Sequence, residues 1–424
     1  MRALFLLVLC STVSLAEGPT AHCVLRKDVD GHLPSAAWLG KRFALTWYAR
    51  DNGTDAGVVS FEQKFALMEP EGEMVGHQPI AITPVDGFSS VMGRLRVGPS
   101  GVLGLVWQDD ASGERTAMFR TLDFNGKPTS ESVAVWKQKT SHGDQAALAW
   151  NEKTKQWLVV FQGTEPTERP GYVTHHFFAT SFAKGSAIPV PIRLDADESI
   201  SNSHGLMVEA KGECGVTAWE ANNKSKSAGG SAGGIVFATF CGQKVTRQTV
   251  SDKSATAPTQ ASLGVRPDGS VLVVWVDEAP KETPAPKDAP KPGAPGGVAA
   301  PSRPFNAPPP PGLPRRSVVF VLLDASGAVK MRGRFDAGGD AESPVVAGNE
   351  RGWFVVWSDT VDRKDRAMAA RLSPEGNQQG ALINLNTPVD GPAWVSVARG
   401  GPKSGVLISH SNHPECAVEW AELR

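Results

Sequence analysis

An all-β fold, a single β-propeller of seven four-stranded blades, is the architecture that three features of this 424-residue sequence predict. A short apolar strand ending in an aromatic side chain returns at a nearly constant interval. The segments between these strands hold further short Val- and Leu-rich runs, separated by Gly-containing turns. No helical periodicity competes with this pattern, and such even spacing of short strands is the mark of radial repetition of small antiparallel sheets.

The recurring strand reads Phe43-Ala44-Leu45-Thr46-Trp47, Leu103-Gly104-Leu105-Val106-Trp107, Trp157-Leu158-Val159-Val160-Phe161, Gly215-Val216-Thr217-Ala218-Trp219, Val271-Leu272-Val273-Val274-Trp275 and Phe354-Val355-Val356-Trp357, with a seventh, degenerate copy at Gly405-Val406-Leu407-Ile408-Ser409. The intervals from one copy to the next are 60, 54, 58, 56, 82 and 51 residues. Each copy is followed by a polar turn and a second strand, then in several repeats by a tight turn such as Leu122-Asp123-Phe124-Asn125-Gly126, Leu323-Asp324-Ala325-Ser326-Gly327 or Leu372-Ser373-Pro374-Glu375-Gly376. A further strand precedes several copies, as at Ser262-Leu263-Gly264-Val265, giving four strands per repeat. Coils of a parallel β-helix are much shorter than this period, and sandwich domains need about 100 residues each.

The one long interval holds residues 278–316, rich in Pro, Ala, Gly and Lys and including Pro308-Pro309-Pro310-Pro311. Such a composition forms no core strand and is expected as an extended or disordered insertion in the fifth repeat, either a spacer or a tether for another envelope component.

The turns Trp107-Gln108-Asp109, Trp275-Val276-Asp277 and Trp357-Ser358-Asp359 resemble those of bacterial exported β-propellers with Trp-x-Asp-like blade turns. The resemblance covers nearly all of residues 17–424 and implies an architecture without singling out a family.

Met1-Arg2, an apolar run over Ala3–Val13 and the small residues Ser14 and Ala16 have the order of a secretory signal peptide spanning residues 1–16. The mature chain is therefore expected to be exported, to the periplasm or the extracellular space, with the cell envelope as its setting. Cys23 follows His22 and Cys10 lies within the apolar run, so neither suits a lipid anchor, and no later run has the length of a membrane span. With 43 basic and 44 acidic residues and a net charge of -1, nucleic acid is not an expected partner.

Four cysteines follow the leader, which allows three pairings in an oxidising compartment. Cys214 opens one strand and Cys241 closes the next, so antiparallel pairing brings them together; Cys23 and Cys416 are then left to join the two ends of the chain. The last repeat stops one strand short after Ala417–Leu423, and residues 23–29 are expected to complete its sheet and close the ring.

In such a ring the loops that follow the aromatic strands all fall on one face, where unequal length favours binding. Trp47, Trp107, Trp219, Trp275 and Trp357 occupy one repeat position and are expected in blade packing. Trp150 and Trp394 fall in inner strands, where core burial is the simpler expectation. Asp109, Asp277 and Asp359 suggest acids or calcium ligands, but a turn aspartate that accepts backbone N–H bonds two residues on explains them better. His410 and His413 form a weak metal candidate without further ligands at a known spacing, and adjacent His175 and His176 point to opposite faces of a strand.

No catalytic residue and no cofactor is assigned: there is no Gly-x-Ser-x-Gly elbow and no His-Glu-x-x-His pair, and Pro267-Asp268-Gly269-Ser270 departs from the repeated turn of sialidases. The leading expectation is a non-catalytic binding or scaffold protein whose loop face holds another envelope or secreted protein or a surface polysaccharide. The alternative is a polysaccharide-active enzyme, glycosidase or lyase, with carboxylates at the mouth of the central channel.

Overall fold

The computed structural model describes residues 21–26, 32–51, 60–83, 90–109, 116–136, 144–166, 173–195, 199–202, 206–223, 234–252, 255, 258–278, 315–362, 364–385, 389–390, 393–398, 404–410 and 415–423. Residues 1–16, expected as a leader, His413 and residues 279–314 of the expected insertion lie outside them.

Seven antiparallel sheets form a seven-bladed propeller, with no helix among the described residues. Blade 1 runs outward through His32–Trp38, Phe43–Asp51, Ser60–Met68 and Met74–Ala81. Blade 2 follows with Ser90–Val97, Val102–Asp109, Thr116–Asp123 and Val133–Ala134, and blade 3 with Asp144–Asn151, Gln156–Pro166, Val173–Ala183 and Ile192–Arg193. In blade 4 the inner strand is broken into Ser199–Asn202 and Val208–Lys211, both paired to Cys214–Asn223, with Gly234–Cys241 and Lys244–Thr249 outside. Blade 5 contains Thr259–Val265, Val271–Glu278, Arg316–Leu323 and Val329–Phe335; blade 6 contains Asp340–Asn349, Gly352–Val361, Lys364–Leu372 and Ile383–Asn384. The sequence insertion therefore joins the second and third strands of blade 5.

Blade 7 is built from both ends of the chain: Ala393–Ala398, Ser404–His410 and Cys416–Leu423 supply three strands, and His22–Arg26 supplies the outermost. His22 pairs with Trp420 and Arg26 with Cys416 in an antiparallel ladder, which the Cys23–Cys416 disulfide ties at a Cα separation of 5.7 Å. The second disulfide, Cys214–Cys241, links the second and third strands of blade 4 within their own hairpin.

Strand alternation makes each second strand serve two junctions at once. Phe43, Leu45 and Trp47 pack with Leu407, Val418 and Trp420 of blade 7, whereas the intervening Ala44 packs with Leu103, Leu105 and Trp107 of blade 2. The same division repeats round the ring, so the buried apolar side chains fall into seven clusters, one between each pair of blades. All five repeat-position tryptophans are buried and point to the preceding blade; Trp219 meets Phe177 at 5.5 Å and Trp357 stacks on Phe335 at 5.7 Å. Phe161 takes this place in blade 3 and Ile408 in blade 7.

The tight turns beyond the third strands have one design. Asp123, Asp324 and Ser373 each accept backbone N–H bonds from residues two and four further on, and the glycines at 126, 327 and 376 have φ of 83°, 92° and 93°. Gly126 lies so close over Phe65 of blade 1 that a β-carbon would strike the ring; Gly72, with φ of 97°, has the same relation to Trp420 of blade 7, at 2.8 Å. Only glycine meets both demands, the left-handed backbone and the absent side chain.

Because the terminal disulfide spans 393 residues and the hairpin disulfide 27, the chain-entropy model gives the terminal bridge about 2 kcal/mol more stabilisation. Urea unfolding of Cys23→Ala/Cys416→Ala should show the larger loss and Cys214→Ala/Cys241→Ala the smaller. Equal losses would mean that the ladder between the terminal strands holds the ring without the bond.

Candidate functional site

The inner strands of all seven blades surround an axial cavity of about 390 Å3 at the end where the second strands finish. Five of them carry a bulge close to their start, each with a non-glycine residue in the left-handed region: Leu33 at 42°, Met92 at 57°, Gln145 at 52°, Gln260 at 58° and Ser343 at 50°. Among the described residues these are five of the eight non-glycine residues with positive φ, and all five line the cavity. A left-handed conformation costs a side-chain-bearing residue about 1–2 kcal/mol, so surrounding structure must hold it there. A small or cyclic residue, Pro34, Gly93, Ala146, Ala261 or Pro344, follows each one.

Side chains from neighbouring blades satisfy the bulged backbone. Glu220 Oε1 accepts the Gln260 N–H, and Gln260 Oε1 in turn accepts the Ser343 N–H at 2.5 Å, a relay through blades 4, 5 and 6. On the opposite side Gln63 Nε2 donates to the Ser90 carbonyl at 2.9 Å and the Leu95 N–H donates to Ser35 Oγ at 3.2 Å. Bulges re-aim side chains at barrel rims and beside sites, and here they turn the start of each inner strand toward the axis.

The chemistry of the wall is cationic. In Ser90–Val97 the residues at 94 and 96 share one face, so both arginines of Gly93-Arg94-Leu95-Arg96 reach the cavity while Leu95 is buried between blades. Arg96 donates to the Leu95 carbonyl at 2.9 Å and lies 3.7 Å from Glu209 of blade 4. Among the described residues no carboxylate pairs with Arg94, which has Tyr48 and Arg96 as its electrostatic neighbours. Burial first, and then the charge of Arg96, lowers the Arg94 pKa to about 10; burial alone lowers that of Arg96 to about 10. Both stay charged at neutral pH.

Tyr48, Trp394, Gln145, Gln260, Leu206 and Met207 complete much of the wall, and no carboxylate among the described residues lines it. The carboxylates expected at the channel mouth are thus replaced, among the described residues, by guanidinium groups. Trp394 also departs from its expected core place: blade 7 has no bulge in its inner strand, and Trp394 faces the axis, half-buried. Trp150 is half-buried as well, its indole N–H donating to Glu152 at 2.7 Å and its ring meeting Trp157 at 4.9 Å.

Each of the three turn aspartates has hydrogen-bond partners within its own blade. Asp109 accepts from the Trp107 indole at 3.2 Å and from Ser90 Oγ at 3.0 Å, Asp277 accepts the N–H of Glu278 at 2.9 Å, and Asp359 binds the guanidinium of Arg366 at 2.8 Å. Asp277 and Asp359 are buried and Asp109 is half-buried. Desolvation raises the Asp359 pKa, with Arg366 opposing the shift.

His176 is buried with its Nδ1 2.8 Å from Asp195, itself held by Arg193 at 2.9 Å, so it belongs to an internal network of blade 3. His410 ends the second strand of blade 7; its side chain and His413 lie outside the described residues. Among the described residues no three metal-ligating side chains converge.

No protein-family model and no curated protein sequence matches the chain. An ulvan lyase of a polysaccharide lyase family, solved bound to -[GlcA(1-4)Rha3S]-, shares the fold at a TM-score of 0.52 and 7% identity, over 95% of this chain and 93% of that one. The α-L-arabinanase of Penicillium chrysogenum, with arabinobiose, is 10% identical at a TM-score of 0.45, covering 96% and 98%, and a protein of unknown function from Dyadobacter fermentans is 10% identical at 0.48, covering 87% and 97%. Identities this low speak to the propeller alone.

Arg94 is half-buried and has no carboxylate partner among the described residues, so Arg94→Met should leave stability unchanged or raise the unfolding free energy by up to about 1 kcal/mol in thermal or urea unfolding. A loss of stability on this change would mean that the folded protein already supplies Arg94 with an anion.

Proposed function

We propose that the protein is directed to a polysaccharide, which it engages at the arginine-bearing mouth of the central channel. The observation that carries the reading is the cavity itself: a concave, largely apolar pocket with a few convergent polar groups, built on left-handed bulges. Trp394 and Tyr48 on its wall offer ring faces and hydroxyl chemistry suited to sugars. The propeller fold, shared with a lyase that binds a uronate-containing polysaccharide, is compatible with such a ligand.

Of the two expectations from sequence, the polysaccharide-active alternative draws the better support. Its hydrolytic form needs two carboxylates across a cleft, and the described cavity wall has none. The proposal therefore favours binding, or elimination at an acidic sugar, over hydrolysis by paired acids. The scaffold expectation draws on loops that lie largely outside the described residues, whereas the cavity rests on described side chains.

Two disulfides favour an oxidising compartment, in keeping with the export expected from residues 1–16. No helix among the described residues is long and apolar enough to cross a membrane.

Purified protein should be retained by at least one member of a panel of immobilised plant, algal and bacterial polysaccharides. Its mixture with that polymer should be followed for new reducing ends and for ultraviolet-absorbing unsaturated products. Retention supports the reading, and unsaturated products would assign elimination. Absence of retention across the panel would overturn it.

A further inference from the structure

We propose that the cavity selects an anionic saccharide, bearing a uronate carboxylate or a sulfate ester, and that Arg94 is the side chain that binds the anionic group. This rests on the polysaccharide reading and narrows it to a class of ligand.

Arg94 and Arg96 stand two residues apart on one strand face, yet their surroundings differ. Arg96 has an acidic neighbour in Glu209 at 3.7 Å and donates to the Leu95 carbonyl. Arg94 has neither among the described residues, and its neighbouring groups are a second cation and a phenol. A half-buried guanidinium with no carboxylate partner among the described residues, on the wall of a largely apolar cavity, is placed to take an anionic group that arrives with the ligand. Its planar fork matches carboxylate and sulfate oxygens with two parallel N–H bonds.

The position is as telling as the charge. Met92, two residues before Arg94, carries a left-handed bulge, and Gly93 between them approaches the Gln63 amide so closely that a side chain there would displace it. Gln63 Nε2 holds the Ser90 carbonyl, so the segment that presents Arg94 is fixed at its start by blade 1. A pre-organised cation loses little freedom when its ligand binds. Trp394, on the same cavity wall in blade 7, offers a sugar ring a surface to stack on while its acidic group meets Arg94.

The test uses oligogalacturonate, its methyl ester and a sulfated galactan oligosaccharide, titrated calorimetrically into the mature wild-type protein, Arg94→Gln and Arg94→Lys, with inorganic sulfate as the small-anion probe in thermal unfolding. A charge-assisted contact gives the acidic form, carboxylate or sulfate, an affinity about tenfold to a hundredfold above the methyl ester. Arg94→Gln should erase that preference, and Arg94→Lys should keep part of it. The wild-type comparison of acid with ester needs no variant to fold. Equal wild-type affinity for acidic and neutral forms would overturn the inference and leave the polysaccharide reading standing. If no saccharide bound but sulfate raised the unfolding temperature of wild type and not of Arg94→Gln, the polysaccharide reading would fail and the anion site would stand. No response to any probe would overturn both.

Discussion

Closure of the seventh blade by the first strand is the constraint on which the rest of the molecule depends. A propeller has no central layer that would hold its sheets together; each blade is secured by its two neighbours, and an open ring would expose two apolar faces. Here the gap is closed by His22–Arg26, laid against Cys416–Leu423 and bonded through Cys23 and Cys416. Trp420, beside that seam, is buried under Gly72 of blade 1 and meets Phe43 at 5.0 Å, so the closing blade is locked from the far side too.

Closing seven sheets in a circle fixes the width of the axis and makes the inner strands a wall. Where a channel is only a by-product, regular strands with small side chains suffice. This wall instead bends at five bulges with left-handed residues, uses Gln63, Glu220 and Gln260 to satisfy the bent backbone across blade boundaries, and holds two arginines. Left-handed backbone, inter-blade polar bonds and half-buried charge all gather at one end of one axis. That coincidence argues for a site more strongly than the fold does, since the same architecture serves unrelated chemistries.

The architecture was legible because its signal is periodic. The aromatic ending each second strand marks one junction per repeat, and the strand short at the C-terminus pointed to the N-terminus as the missing piece. The Cys214–Cys241 pairing followed from which strand ends meet in an antiparallel hairpin, and Cys23–Cys416 from the two cysteines left over. The site was less legible, because it is made of single residues from seven separated strands. Arg94 and Arg96 were visible only as two cations alternating in Ser90–Val97, and their significance depends on which strand lines the axis. Trp394 was misplaced in the core for the same reason: apolar character alone does not separate a wall from an interior. The turn aspartates were read by a local rule, and that rule does not contain the partners that Ser90 and Trp107 supply to Asp109 and Arg366 to Asp359.

The most direct measurement of the account is a crystal structure of the mature protein with a bound acidic oligosaccharide. The account predicts the sugar in the axial cavity, its acidic group on the Arg94 guanidinium and a ring against Trp394, with the five bulges unchanged. A sugar bound on the outer loops with the cavity unaltered, or an acidic group turned to solvent away from Arg94, would contradict it.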